Sequence, residues 1–177
     1  MGVASLFTPA KLIIGLLSTH EEIHQSLFKR LEGIWGPIER KSRLHPFTYT
    51  SYYNEEMKAV PLRQYLIFKN LIDPSLLASI KIKTNEMEHD YIVDGGRSIN
   101  LDPGVLTVEN VMLATTKNRG HRIPLHDGIY GEVTLLYTQK TYIDFMWTYP
   151  DYKTDESKTF FLDVRKHYLK QLEEEFN

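Results

Sequence analysis

The sequence predicts an α+β fold: a ferredoxin-like βαββαβ unit with an antiparallel sheet, extended by a C-terminal β-hairpin region and a terminal helix. Three observations predict it. Short strand-like runs and two stretches of helical spacing follow one another as β-α-β-β-α-β between residues 11 and 101. Three more strand-like runs come next, the last two joined by a tight turn. The chain then closes on apolar residues spaced one helical turn apart. No Gly/Ser-rich or Pro-rich linker and no repeat divides the 177 residues, so residues 1–177 are read as a single α+β domain.

Each element has its own reason. Lys11 to Leu17 is a short apolar run behind a turn signal, and reads as a buried strand. Ser18 and Thr19 precede Glu21 and Glu22 by three residues, the spacing of a capping box. Ile23, Leu27, Leu31 and Ile34 then recur at helical spacing, which predicts a helix over 19–34 ended by Gly33, Gly36 and Pro37. Phe47 to Tyr53 is rich in Tyr, Phe and Thr and predicts a strand, as does Leu62 to Lys69. Asp73 as N-cap and Pro74 in the first turn start a second helix, with Leu76, Leu77, Ile80, Met87 and Tyr91 on its buried face.

Asp94-Gly95-Gly96 turns the chain, and Ser98 to Leu101 resumes as a strand. Asn100-Leu101-Asp102-Pro103-Gly104 is expected to end that strand in a tight turn. Strands are expected at about 111–116, 129–137 and 141–148, with Thr138-Gln139-Lys140 as a hairpin loop. A helix from about Ser157 presents Phe161, Val164, Tyr168, Leu172 and Phe176 on one face.

Composition narrows the function. A formal net charge of −2 gives no global basic field for collecting nucleic acid, although a local basic patch stays open. With no cysteine, disulfides, thiolate zinc sites, iron–sulfur clusters and cysteine nucleophiles are excluded. In the N-terminal segment only Leu12 to Leu17 is continuously apolar, too short for a signal-peptide core or a membrane span. The myristoylation pattern fails because Leu6 stands where Ser or Thr is wanted. The expectation is a cytoplasmic protein without a membrane partner.

Chemistry-bearing residues concentrate between Arg97 and Asp151. Thr115-Thr116-Lys117-Asn118-Arg119-Gly120-His121-Arg122 is a loop of cations and hydroxyls around a glycine, suited to phosphate or carboxylate. It is not a Walker loop, and no G-x-G-x-x-G occurs. A polar loop held in solvent is the bland alternative.

Asp102 at a strand end is a candidate acid, base or metal ligand, or simply the cap of its turn. Alternation over Ile129 to Tyr137 puts Ile129, Gly131, Val133, Leu135 and Tyr137 on one face and Tyr130, Glu132, Thr134 and Leu136 on the other. Glu132 then faces His121 or Arg122, as an ion-pair partner or as a general base. Trp147-Thr148-Tyr149-Pro150-Asp151-Tyr152 offers aromatics that either stack a ligand or line the core under the last helix. His20-Glu21-Glu22-Ile23-His24 matches the zinc-protease pattern H-E-x-x-H, but it occupies a helix first turn, where the glutamates answer the dipole.

Several segments taken together resemble a known family. They are Ser98–Gly104 (S-I-N-L-D-P-G), L-A-T-T-K-N, H-R-I, G-I-Y-G-E-V-T-L, W-T-Y-P-D-Y and K-L-I-I-G-L-L-S. Tyr52-Tyr53, Glu56-Met57, Leu62-Arg63, Thr84-Asn85 and Glu88 fit the same pattern. The chain is similar, over nearly its whole length, to the bacterial "domain of unknown function 4416" family. Val105 and Pro124 stand where that pattern more usually has tyrosine, Gly131 where it has alanine and Lys58 where it has glycine. The resemblance implies no activity, cofactor or partner, and H-E-x-x-H is not part of the pattern.

The functional expectation is therefore a protein that binds a small anionic ligand, phosphorylated compounds included, with catalysis left open and no cofactor assigned. Arg97, Lys117, Arg119, Arg122, Tyr149 and Asp151 are the candidate ligand contacts. Asp102, His121 and Glu132 are the candidate proton-transfer groups. The alternatives are a non-catalytic interaction or RNA-binding module on a ferredoxin-like scaffold and, more remotely, a zinc hydrolase using His20, Glu21 and His24.

Overall fold

The computed structural model describes residues 2–93 and 95–176, with the side chain of Phe176 left out. The expectations for Asp94 in the turn and for Phe176 on the last helical face lie outside the described residues. In chain order the elements are β1 (Ala10–Ser18), α1 (His24–Trp35), β2 (Ile38–Lys41), β3 (His45–Pro46), α2 (Tyr52–Met57) and β4 (Leu62–Ile72). There follow α3 (Leu77–His89), β5 (Ile92–Val93), β6 (Gly96–Arg97), β7 (Ile99–Leu106), β8 (Asn110–Thr115) and β9 (Ile123–Pro124). Last come β10 (Tyr130–Thr138), β11 (Thr141–Asp144), α4 (Pro150–Lys153) and α5 (Asp155–Phe176).

Helices and an antiparallel sheet thus share the chain, an α+β arrangement. The main sheet runs β11-β10-β8-β7-β1-β4-β2, with β3 on β4 and β9 on β10. β1 lies at its centre, antiparallel to β4 on one side and β7 on the other. Every residue of β1 is buried, because both faces of the sheet are covered there. Leu12, Ile14 and Leu16 pack with Leu27 and Leu31 of α1 and Ile80 and Met87 of α3. On the opposite face Ile13 packs with Tyr65 and Ile67 of β4 and with Phe161, Val164 and Tyr168 of α5. That face also carries the cleft described below.

Asp73 caps its helix as expected, its Oδ1 accepting from the Ser75 amide at 2.8 Å. The expected loop between β10 and β11 holds Gln139 and Lys140 at positive φ. The capping box at 18–22 does not form. Ser18 is the last paired residue of β1, and its hydroxyl closes a turn with His20 instead. His20 precedes the helical turn at Glu21–Ile23 and bonds Glu22, while His24 is buried against Phe28.

The second strand is β2, not 47–53. Ile38–Lys41 is a half-buried edge strand reading I-E-R-K, too polar to show an apolar pattern. Phe47 instead packs with Leu17 and Met57. Tyr52 and Tyr53 open the short helix α2. Ile34 and Leu76, expected on buried helix faces, are exposed. The strand expected through Thr148 stops at Asp144, where a turn forms between Phe145 and Thr148.

Two departures shape the cleft. Asn100–Gly104 does not turn; β7 continues through it to Leu106. Pro103 has no amide hydrogen, and alternation points its missing donor toward β8, on the same side as the Leu101 and Val105 peptide groups. Pairing with β8 therefore begins only at Gly104 and Leu113. A Cβ on Gly104 would meet the Met112 carbonyl oxygen at 2.5 Å, so the closest approach of the two strands needs glycine there. Beyond it β8 stays with β10, through Glu132–Leu113, Gly131–Ala114 and Tyr130–Thr115, and leaves β7.

The second departure is a bulge in β10 between Val133 and Leu135. It inverts the alternation expected over the whole strand, so Glu132 and Leu135 share the face that bears α5.

Candidate functional site

Where β7 and β8 part, the exposed strand edge must find other hydrogen-bond partners. Helix α3 supplies them. Glu88 Oε1 accepts from the Leu101 amide at 2.7 Å, and Lys81 Nζ donates to the Leu101 carbonyl at 2.9 Å. These two side chains stand in for the missing strand and hold the gap open. Glu88 also pairs with Arg97, which grips Glu56 of α2 through two nitrogens, at 2.7 and 2.9 Å. Burial pushes the Glu88 carboxyl above its ordinary value, against the pull of Lys81, the Leu101 amide and Arg97.

The gap continues into a cleft with two lobes that share Tyr52, Tyr53, Asp102, Leu113, Lys117 and Tyr149. One lobe, with a cavity volume of about 140 Å3, reaches Asn85 on α3 and Glu132 on β10. The other, about 300 Å3, is walled by aromatics and floored by Arg63 and Tyr152.

Arg63 carries the buried charge of the floor. Its Nε lies 2.9 Å from Asp151 and its Nη1 3.5 Å from Asp102. Burial works against its charge, but Asp151, Tyr65 and Asp102 hold its pKa above the usual arginine value. Gly15 of β1 lies beneath it: a Cβ there would come within 2.9 Å of Arg63 Nη1 and 3.3 Å of the Tyr152 hydroxyl. Asp102 lies between two cations and accepts from Asn100 at 2.8 Å. Burial raises its pKa, yet Lys81, Arg63 and Asn100 together keep it below the ordinary aspartate range, so it is ionised.

The proposed site residues fall into four groups. Asp102, Glu132, Arg97, Lys117 and Tyr149 line the cleft. His121 and Arg122 stand behind Glu132, at 3.1 and 2.6 Å from its Oε2, and Arg122 also ties Tyr149 and the Lys117 carbonyl at 3.0 and 2.7 Å. His121 stacks on Trp147, which stacks on Phe145. Asp151 is buried beneath the floor, taken by Arg63 and by the Tyr65 hydroxyl at 3.0 Å. Arg119 is exposed on the loop and does not line the cleft. Lys117 is exposed at the mouth, its ammonium 4.8 Å from the Tyr52 ring centre.

Arg63, Lys81 and Asn85 line the cleft and were left out by sequence reasoning, as was Glu88, which holds its edge open. A signal for them existed. Arg63 shares its strand face with the buried Tyr65 and Ile67, and Lys81, Thr84 and Glu88 share the inward spacing of Leu77 along α3. Charges on a buried stripe need partners, and partners imply a polar site. Among the described residues, no cluster of three or more His, Asp or Glu is placed to hold a metal ion. No described helix is long and apolar enough to cross a membrane.

No curated protein and no solved structure matches the chain. One family model does, over residues 8–168, which include every residue that lines the cleft. The protein therefore belongs to the family described as Domain of unknown function (DUF4416).

Proposed function

We propose that this protein binds a small anionic ligand, a carboxylate or a phosphate compound, in the two-lobed cleft. The observation that carries the reading is the state of the cations. Arg63 is taken by Asp151, Lys81 contacts Asp102 and Arg97 is held by Glu56 and Glu88. Lys117 lies at the mouth of both lobes, and among the described residues no carboxylate is within salt-bridge distance of it. An incoming anion gains a charge-assisted contact there without displacing an internal partner. Tyr52, Tyr53 and Tyr149 supply apolar walls for the rest of the ligand.

The scaffold belongs to the proposal. The order β7-β1-β4-β2, antiparallel throughout, with α1 and α3 on one face, supports a ferredoxin-like unit to which β8, β10 and β11 add. The RNA-binding alternative has less support, because α5 covers the sheet face on which such scaffolds stack bases.

Thermal shift with a panel of carboxylates and phosphates tests the reading. A ligand that binds the native state at one hundred times its Kd raises stability by about 2.7 kcal/mol. Lys117→Ala should abolish the shift while leaving the unliganded melting temperature nearly unchanged. No shift with any anion at millimolar concentration refutes the proposal.

A further inference from the structure

The smaller lobe asks for something other than an anion. Glu132 is 3% exposed and lines that lobe. Its Oε2 takes both nearby donors, Arg122 Nε and His121 Nε2. Its Oε1 is buried and has no hydrogen-bond partner among the described residues. A buried carboxylate oxygen without a donor is costly, and such orphans collect at ligand sites. Asp102 is the other acid on the lobe wall, and Tyr52, Tyr53 and Tyr149 face the same space. Carboxylates set among aromatic rings are the surroundings that suit an ammonium group, through charge-assisted hydrogen bonds and cation–π attraction.

Building on the anion-binding reading, we infer that the ligand also carries a primary amine, which Glu132 Oε1 receives in the smaller lobe while Lys117 meets the anionic group. The ligand class is thus the small amino acids and amino phosphates. The lobes share one wall, so a single molecule can span both. The cations of the floor already face carboxylates, which favours a ligand that is itself close to neutral.

The test uses the full chain and matched pairs of small carboxylates and phosphates, each with and without a primary amine. Examples are tyrosine against 3-(4-hydroxyphenyl)propionate and 2-aminoethyl phosphate against ethyl phosphate. Ligand-observed NMR titration gives a Kd for every member. The amine-bearing member of each bound pair should bind about tenfold more tightly, the increment expected of a hydrogen bond to a charged group. Glu132→Gln should bring the two members of each bound pair to equal affinity. Should that variant not fold, the wild-type pair comparison decides alone. Equal affinity within pairs overturns the amine assignment and leaves the anion site standing. Absence of binding by every member overturns both.

Discussion

Removing the charge of Asp151 tests the floor of the cleft directly. Asp151 is 1% exposed and faces Arg63 Nε at 2.9 Å. At that separation and an effective dielectric of about 20, the gross attraction is roughly 6 kcal/mol. Much of it offsets the loss of hydration of two ions, so the pair itself adds little net stability. Breaking it is another matter. Asp151→Asn leaves Arg63 buried with Asp102 as its remaining acid, at 3.5 Å. The expected loss is about 3–5 kcal/mol, the range for one partner removed from a buried ion pair.

Urea unfolding of the wild type, Asp151→Asn, Arg63→Met and the double variant measures this. Each single change should lower the midpoint strongly. The double should be much less damaged than the sum, since no uncompensated ion is left. Additive losses, or a loss under 1 kcal/mol in Asp151→Asn, would refute the account of Arg63 as a buried charge held by Asp151.

Two more outcomes follow from local geometry. A Cβ at Gly131 would meet Leu125 at 3.5 Å, ordinary contact, and Gly131 has no positive φ. Gly131→Ala should therefore stabilise the fold by about 0.4–1 kcal/mol through the unfolded chain, read as a higher melting temperature. Burial depresses the pKa of His24 below 6.5, against the pull of Glu21 and Glu22. A depressed histidine contributes stability above pH 6.5, and that contribution is lost as pH falls through its folded value. His24→Phe should flatten the stability profile between pH 7 and 5 relative to the wild type; an unchanged slope in equilibrium unfolding would contradict this.

The fold was readable where one physical signal acted alone. Leu12 to Leu17 of β1 is an unbroken apolar run because both faces are covered there, and Asp73-Pro74 starts the helical turn that leads into α3 by ordinary capping chemistry. Reading failed where tertiary contacts overrode the local pattern. Pro103-Gly104 has turn composition, yet β1 holds the segment straight on one side, while on the other the absent amide matters only as a missing bond to β8. The bulge in β10 moved Leu135 to the opposite face from the one alternation assigned. The loop 115–122 was visible as a cluster of charge. Alternation also set Glu132 opposite His121 or Arg122, and both bond it; that Arg119 goes to solvent was not visible. Arg63 and Lys81, as charges on buried stripes, signalled a polar site but not its place, because their partners are far away in sequence.

If the cleft takes the proposed ligand, Pro103 bears on how fast it enters. A seam between two strands that could pair would spend part of its time zipped, and a ligand would have to wait for it to open. An imino acid at that position leaves no amide to complete the ladder, so the receptive shape is the resting shape. On the proposed ligand-binding reading, association would then need no preceding conformational step, and affinity would not be reduced by a fraction of closed molecules.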